Sequence, residues 1–250
     1  MAVIDICGYC GVWPYWPLRA KTPTDLLNLM DRWKIDRIAL TSLKAIFAGC
    51  RDGNDETRRV IKEEPSRMIA FAAASPDLGT RACEYIEECQ HMGMRGLRLF
   101  PQHHRFRLDE SPWLASILKM ASKLAWPVLI PIRLMMNWGL PTLDVRTIVG
   151  IAAAYSHVQF IIGGVNYGEL ADALAVMNRY NNVAIETSCL QSLGGVKLLA
   201  DEVGPERVLL GTGLPLQYPS AGLAKIEHAE ISDRAKELIL GLNAERLLGL

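Results

Sequence analysis

Short apolar runs alternate with helical patterns along the whole chain. The apolar runs predict eight strands, at residues 3–7, 37–42, 68–74, 96–100, 128–132, 158–162, 183–187 and 208–212. Several of them are nearly continuous apolar segments, such as PVLIPI and VQFIIGG. Continuous apolar runs are typical of strands that are covered on both faces of a parallel sheet. The pattern therefore predicts a buried parallel sheet.

Helical patterns fill the segments between these runs. They begin near residue 24 and continue at 55–64, 81–92, 112–124, 143–155, 167–180 and 193–203, with two closing stretches near 232 and 244. The first helix has a clear start signal, because Thr22 can cap it, Pro23 suits the first helical position and Asp25 completes the spacing of a capping box.

The strand–helix unit repeats roughly every 30 residues. Eight such units in one chain of 250 residues predict an α/β protein with a (β/α)8 TIM barrel, as a single domain over residues 1–250. The alternative is an open doubly wound sheet. It lacks support, because neither a Gly-x-Gly-x-x-Gly after the first strand nor a Walker phosphate loop is present.

The composition is that of a folded protein without a strongly charged partner. Half of the residues are hydrophobic and 22% are charged, which excludes a disordered chain. Lys+Arg and Asp+Glu each number 27, so no basic excess is available for the phosphates of a nucleic acid. A neutral chain repels its own copies only weakly, which favours a homo-oligomer such as a dimer.

The sequence also predicts the compartment. No segment is apolar for long enough to cross a membrane, and the first residues lack the basic flank and apolar run of a signal peptide. We therefore expect a cytoplasmic protein with no membrane partner, whose six cysteines are free thiols.

Functional residues of such a barrel lie at the carboxyl ends of its strands. Side chains alternate along a strand, so outward-facing leucines at 97 and 99 turn Arg98 inward, and outward-facing Val183 and Ile185 turn Glu186 inward. Arg133 follows strand five on the same face as position 131. Two interpretations stay open: an Arg–Glu pair that holds the barrel together, or a surplus of positive charge that binds a small anionic ligand, such as a carboxylate.

Three residues near the strand ends are candidate acids or bases for chemistry without a metal: Tyr9, His103 and Glu186. His103 and His104 are adjacent. On an extended segment they would point in opposite directions, so at most one of them would face the mouth.

Asn166, after strand six, and Trp13, in the first loop, join Arg98 and Arg133 as candidate ligand contacts. The first loop also contains Tyr15 and Trp16, and the fifth contains Trp138. These rings form either an apolar wall for a small ligand or a packing contact with the barrel or another subunit.

Several segments carry a family resemblance: IDICGYCG at strand one, GLRLFPQHHRFRLD at strand four, WPVLIPI at strand five, FIIGG at strand six, GTGLP at strand eight and NAERLLGL at the end. On these segments the chain resembles the amidohydrolase superfamily, in the branch that contains aminocarboxymuconate-semialdehyde decarboxylase. The resemblance spans nearly the whole chain. It implies a metal-dependent-hydrolase-like barrel with hydrolase or decarboxylase activity.

The same segments lack the metal ligands of that branch, which has two His at strand one, a His at strands five and six and an Asp at strand eight. The matching positions here are Cys7, Tyr9, Pro131, Gly164 and Gly213. Proline and glycine have no donor side chain, and zinc needs three or four ligands close together. We therefore expect neither the family's metal nor another cofactor. The alternative is a different metal site rebuilt from Cys7, Cys189 and one histidine.

Three functions are compatible with a chain that resembles this family but lacks its metal ligands. The first is a protein that binds a small anionic molecule at the barrel mouth, with metal-free catalysis or none. The second is a catalytically inactive partner or regulatory subunit. The third is an active metal-dependent hydrolase or decarboxylase with unconventional ligands. Metal content separates the third from the others, and a small molecule bound in the mouth separates the first from the second.

Overall fold

The computed structural model describes residues 1–109, 112–136 and 139–250. Its strands are β1 (Ile4–Cys10), β2 (Arg37–Ser42), β3 (Met68–Ala73), β4 (Gly96–Arg98), β5 (Val128–Pro131), β6 (Phe160–Gly163), β7 (Val183–Glu186) and β8 (Val208–Leu209). They pair in chain order and in parallel. The segment that follows β8 closes the barrel, because Ile6 donates its backbone N–H to Leu210 and Gly213 donates to Cys7, both at 2.9 Å. The predicted (β/α)8 TIM barrel is confirmed.

Helices alternate with the strands: α1 (Pro23–Arg32), α2 (Leu43–Phe47), α3 (Cys50–Ile61), α4 (Ala82–His91), α5 (Pro101–His104), α6 (Pro112–Lys123), α7 (Ile148–Ala154), α8 (Leu170–Arg179), α9 (Gly195–Val203), α10 (Pro219–Glu227), α11 (Asp233–Glu237) and α12 (Asn243–Leu248). The predicted helices at 81–92, 112–124 and 193–203 correspond to α4, α6 and α9. The helices α2, α5 and α10 were not predicted. In the described part of the chain, no helix has the length and apolarity that a membrane crossing requires.

The barrel wall separates two apolar layers. Outward-facing side chains such as Leu97 and Ile185 pack against the helices. Inward-facing side chains such as Phe71 fill the barrel interior. The predicted alternation is therefore confirmed for β4 and β7, and it places Arg98 and Glu186 in the interior, where both are fully buried.

The start of α1 also agrees with the sequence. The Thr22 hydroxyl accepts the backbone N–H of Asp25 at 3.1 Å, and the Asp25 carboxylate accepts that of Thr22 at 3.0 Å. Pro23 occupies the first helical position. Two backbone donors that the helix leaves open are thus satisfied.

The first strand is longer than its predicted range, 3–7. It continues to Cys10 and pairs irregularly with β2 between Asp5 and Gly8. Tyr9 is therefore a buried strand residue rather than a residue beyond the strand end.

A buried amide on α3 fixes the carboxyl end of β3. The Asn54 side chain accepts the backbone N–H of Ala73 at 2.8 Å and donates to the carbonyl of the same residue at 2.9 Å. Its amide also contacts the Tyr85 hydroxyl at 2.6 Å. Next to it, a Cβ at Gly53 would overlap the backbone of Ala45, so the close packing of α3 on α2 requires glycine there.

We predict that Asn54→Ala lowers the free energy of unfolding by about 2–4 kcal/mol, because it leaves both backbone groups of Ala73 buried without a partner. Chemical denaturation of the variant measures this change. Asn28→Ala, at an exposed position of α1, is the matched control, and we expect it to stay within about 0.5 kcal/mol of wild type. Equal effects of the two substitutions would contradict the structural role of Asn54.

Candidate functional site

Arg98 crosses the barrel interior from β4. Its Nη1 donates to the carbonyl of Gly8 at 2.8 Å. Its Nη2 donates to the carbonyls of Ile6 and Ala39 at 2.9 and 3.1 Å. The guanidinium also lies 5.1 Å from the centroid of the Tyr9 ring. Arg98 is therefore bound by backbone oxygens of β1 and β2 and is not exposed to a ligand at the mouth.

Asp5 connects β1 to the segment after β8. Its Oδ1 accepts the backbone N–H groups of Cys7 at 2.8 Å and of Thr212 at 3.0 Å, and its Oδ2 accepts the Thr212 hydroxyl. Complete burial raises the pKa of Asp5 from 3.8 to about 6, because desolvation outweighs these hydrogen bonds.

Glu186 extends inward from β7, with its carboxylate near the ends of β6 and β8. Its Oε1 accepts the backbone N–H of Gly164 at 2.6 Å and the Ser188 hydroxyl at 2.8 Å. Its Oε2 accepts the backbone N–H of Ser188 at 2.6 Å. A Cβ at Gly211 would overlap Oε2, and one at Gly163 would lie 2.9 Å from Oε1. The glycines at these strand ends therefore make room for the carboxylate.

The interpretation that Glu186 pairs with Arg98 or Arg133 is wrong. Among the described residues, Glu186 forms no ion pair, whereas Arg133 pairs with Glu169. The physical reason is that Arg98 and Glu186 both find backbone partners inside the barrel. With Asp5 and Glu169 counted, three carboxyl groups face the two arginines, so the expectation of two arginines against Glu186 alone is also wrong.

Arg133 and Asn166 line one cavity of about 320 Å³ at the mouth. Arg133 Nη2 donates to Glu169, and its Nη1 lies 3.4 Å from the sulfur of Met136. Asn166 Nδ2 lies 3.4 Å from the same sulfur, and its Oδ1 accepts the backbone N–H of Gln191 at 3.0 Å. Arg133 Nε is buried and has no acceptor among the described residues. Two of the predicted ligand contacts are thus brought together.

Sequence reasoning missed Glu169, although a signal was present. Asn166 and Glu169 have the spacing of a capping box, and Glu169 Oε2 accepts the backbone N–H of Asn166 at 3.2 Å. This local bond holds Glu169 at the end of β6, within reach of Arg133.

A second and larger cavity, of about 580 Å³, lies beside the first, and Met136 lines both. Its other walls include Met135, Leu190, Gln217 and Lys225. Sequence reasoning missed Lys225, because α10, which carries it, was not predicted.

The structure also describes the positions at which the resemblance implies the family's metal ligands. Burial raises the pKa of the Cys7 thiol and of the Tyr9 hydroxyl well above their usual values. Gly164 has a φ of 74°, and a Cβ there would overlap the backbone oxygen of Arg133. Across residues 1–109, 112–136 and 139–250, no group of three or more His, Cys, Asp or Glu side chains is arranged to hold a metal ion. Cys7, Cys189 and a histidine therefore do not form such a group among the described residues.

The expectation of an extended segment at His103 and His104 is wrong, because both belong to the helical turn α5. Pro101 at the first position favours that turn. His104 Nε2 lies 3.0 Å from the carbonyl of Ala45, and the His103 ring packs edge-on against Phe47. Burial, and secondarily His104, lowers the pKa of His103 from 6.5 to about 4. Neither histidine lines the cavity of Arg133.

Trp13 is buried among aromatic rings of the first loops. Its ring centroid lies 5.1 Å from that of Tyr15, 5.5 Å from that of Trp16 and 5.6 Å from that of Phe47. Trp13 therefore belongs to a loop that packs on its own barrel. It does not line the Arg133 cavity. Trp138 lies outside the described residues.

The pKa of Asp5 predicts a pH dependence. Because its folded-state pKa of about 6 lies above its unfolded value of 3.8, the stabilisation from its protonated form is complete below pH 4 and is lost as the pH rises to about 6. We therefore expect the stability of wild type relative to Asp5→Asn to fall by about 2–3 kcal/mol over this interval. Denaturation of both proteins at pH 4 and pH 7 measures it. His103 gives stability the opposite dependence on pH, but it is present in both proteins. A difference in stability between wild type and Asp5→Asn that does not change with pH would contradict the burial of a titrating Asp5.

Several solved structures are similar to this barrel. Its structure is similar to that of 2,6-dihydroxybenzoate decarboxylase in complex with 2,6-dihydroxybenzoate, with a TM-score of 0.79, 18% identity and 100% of both chains covered. It is also similar to 5-carboxyvanillate decarboxylase from Sphingomonas paucimobilis, with a TM-score of 0.77, 17% identity and coverage of 100% of this chain and 99% of that one. A dihydroxybenzoic acid decarboxylase from Polaromonas sp. JS666, with bound manganese and 2-nitroresorcinol, has a TM-score of 0.80, 17% identity and coverages of 100% and 97%.

At these identities the structural similarity shows the fold alone. A search of curated proteins found no match. The family description "Amidohydrolase" matches residues 13–250, which is nearly the whole chain. The resemblance inferred from the strand-end motifs is thereby confirmed at the level of the family: this chain belongs to the amidohydrolase family.

Proposed function

We propose that this protein binds a small carboxylate at the barrel mouth through Arg133 and Asn166, without a metal ion. The observation that carries the proposal is the cavity of about 320 Å³ that both side chains line, together with the buried Arg133 Nε that lacks an acceptor. A carboxylate oxygen would satisfy this N–H with a charge-assisted hydrogen bond. Binding rests on directed donors rather than on net charge, because Glu169 already pairs with Arg133.

The residues at the family's ligand positions do not fit a divalent metal. Three of the five offer no donor side chain, and zinc requires three or four donors. Gly164 uses its backbone N–H on Glu186, and Arg133 leaves no room for a Cβ there. No step of the proposed function therefore uses a metal.

The candidate acids and bases do not line the Arg133 cavity, whose described walls include none of Tyr9, His103 and Glu186. Tyr9 is buried with its pKa raised, and Glu186 is held by three donors. We therefore propose binding without turnover at this cavity.

The names of the structural relatives support the choice of ligand. Both 2,6-dihydroxybenzoate and 5-carboxyvanillate are aromatic carboxylates. Met136 and Leu140 give the cavity of this chain apolar walls beside its polar groups, which suits an aromatic ring that carries a carboxylate.

A second candidate function is that of a catalytically inactive partner or regulatory subunit, in the cytoplasm and as a homo-oligomer. It is favoured by the exposed apolar side chains of the first loops. Val12, Tyr15 and Trp16 are 82%, 56% and 41% exposed. Clustered exposed apolar side chains are common at protein interfaces.

Calorimetric titration with 2,6-dihydroxybenzoate tests the first proposal. We predict that Arg133→Ala weakens binding by on the order of 2–3 kcal/mol, and that Arg133→Lys restores it only in part, because lysine has no donor at the position of Nε. Glu169→Gln should tighten binding, since it removes the competing charge and keeps an oxygen for the backbone N–H of Asn166. Arg146→Ala, at an exposed arginine paired with Asp144, is the matched control and should bind like wild type.

Equal affinities of wild type and Arg133→Ala, or no binding by any of these proteins, would overturn the carboxylate site. The role as an inactive partner subunit would then be the remaining proposal.

A further inference from the structure

Lys225 lies on α10 and lines the larger mouth cavity, of about 580 Å³. Its Nζ donates to the carbonyls of Thr187 and Leu190, both at 2.7 Å. Among the described residues it has no carboxylate partner, unlike Lys197, which pairs with Asp201. Lys225 is thus partly buried, held in one orientation and still reachable from a cavity.

The geometry around Nζ can accommodate a neutral amine as well as an ammonium. An amine nitrogen has two N–H donors and a lone pair, and the two carbonyls accept both donors. The fourth tetrahedral position, which carries the lone pair, is left for a group in the cavity. Burial lowers the pKa of Lys225, against the opposing effects of Glu186 on β7 and of Cys189 after it, which enlarges the neutral fraction.

A second polar group belongs to a residue of the same cavity. Ser192 lines the cavity together with Lys225, and its buried Oγ has no hydrogen-bond partner in the part of the chain that the structure describes. A hydroxyl in this state can donate to the oxygen of a molecule that occupies the cavity. A desolvated amine and an unpaired hydroxyl on one cavity suit a carbonyl group. The amine can attack the carbonyl carbon, and the hydroxyl can donate a hydrogen bond to the carbonyl oxygen.

We propose that Lys225 is a nucleophilic amine that condenses with a small ketone or aldehyde in this cavity to form a Schiff base. The Nζ lone pair forms a bond to the carbonyl carbon, and the carbonyl oxygen takes up a proton and becomes a hydroxyl. The C–O bond then breaks and water leaves. Both hydrogens of the amine end in that water, and the imine nitrogen takes a proton from solvent.

The hydrogen bonds around Lys225 can tolerate this change. The carbonyl of Thr187 also accepts the backbone N–H of Leu190 at 3.1 Å, so it keeps a donor when Lys225 turns away. The single N–H of the protonated imine can remain on the carbonyl of Leu190. This site is separate from the proposed carboxylate site, because Arg133 does not line the larger cavity.

Reductive trapping tests the proposal. The protein is incubated with pyruvate, a ketone that exposed lysines capture poorly. Sodium borohydride then reduces any imine to a stable secondary amine, and peptide mass spectrometry locates the adduct. We predict a larger adduct at Lys225 than at Lys197, since burial lowers the pKa of Lys225 whereas the hydrogen bond to Asp201 raises that of Lys197. Labelling of Lys225 should also persist to lower pH than labelling of Lys197.

Two variants separate reactivity from packing. Lys225→Arg keeps donors for both carbonyls and should abolish the adduct, whereas Lys197→Arg should leave it unchanged. Ser192→Ala should reduce the rate of trapping with no change in the position of the adduct. Labelling spread evenly over the lysines of the wild-type protein, or the absence of an adduct at Lys225, would overturn the proposal irrespective of how the variants fold.

Discussion

A charged group inside a barrel must obtain all of its hydrogen bonds from the barrel itself, and this constraint governs the interior of the protein. The two terminal nitrogens of Arg98 obtain them from the carbonyls of Ile6, Gly8 and Ala39, whereas its buried Nε has no partner among the described residues. The irregular pairing of β1 with β2 lies in the stretch that supplies two of these oxygens. Asp5 binds the segment after β8 and thereby helps to close the barrel. Buried charges are tolerated when their hydrogen bonds are satisfied in this way.

The same constraint applies to Glu186, near the ends of β6 and β8, where backbone N–H groups and the Ser188 hydroxyl satisfy the carboxylate. Glycine at 163 and 211 makes the space for it. The polar groups that remain open to ligands then lie farther out, on the two cavities that share Met136.

The sequence predicted the barrel and the direction of its interior charges, because apolar runs and strand alternation are local properties. It predicted the inward direction of Arg98 and Glu186 but not their partners, which come from strands far apart in the chain. The helical turn at His103 and the helix that carries Lys225 were missed, because short helices depend on tertiary packing more than on local pattern. Glu169 had a local signal in its spacing from Asn166.

We propose that in this member of the amidohydrolase family hydrogen bonds to a buried carboxylate take the place of metal coordination. Elemental analysis tests this proposal on protein purified without chelator, incubated with excess zinc and manganese, and desalted. We predict far less than one equivalent of metal per chain, with the same residual content in Cys7→Ala. One equivalent of metal that survives desalting in wild type and is lost in Cys7→Ala would contradict it.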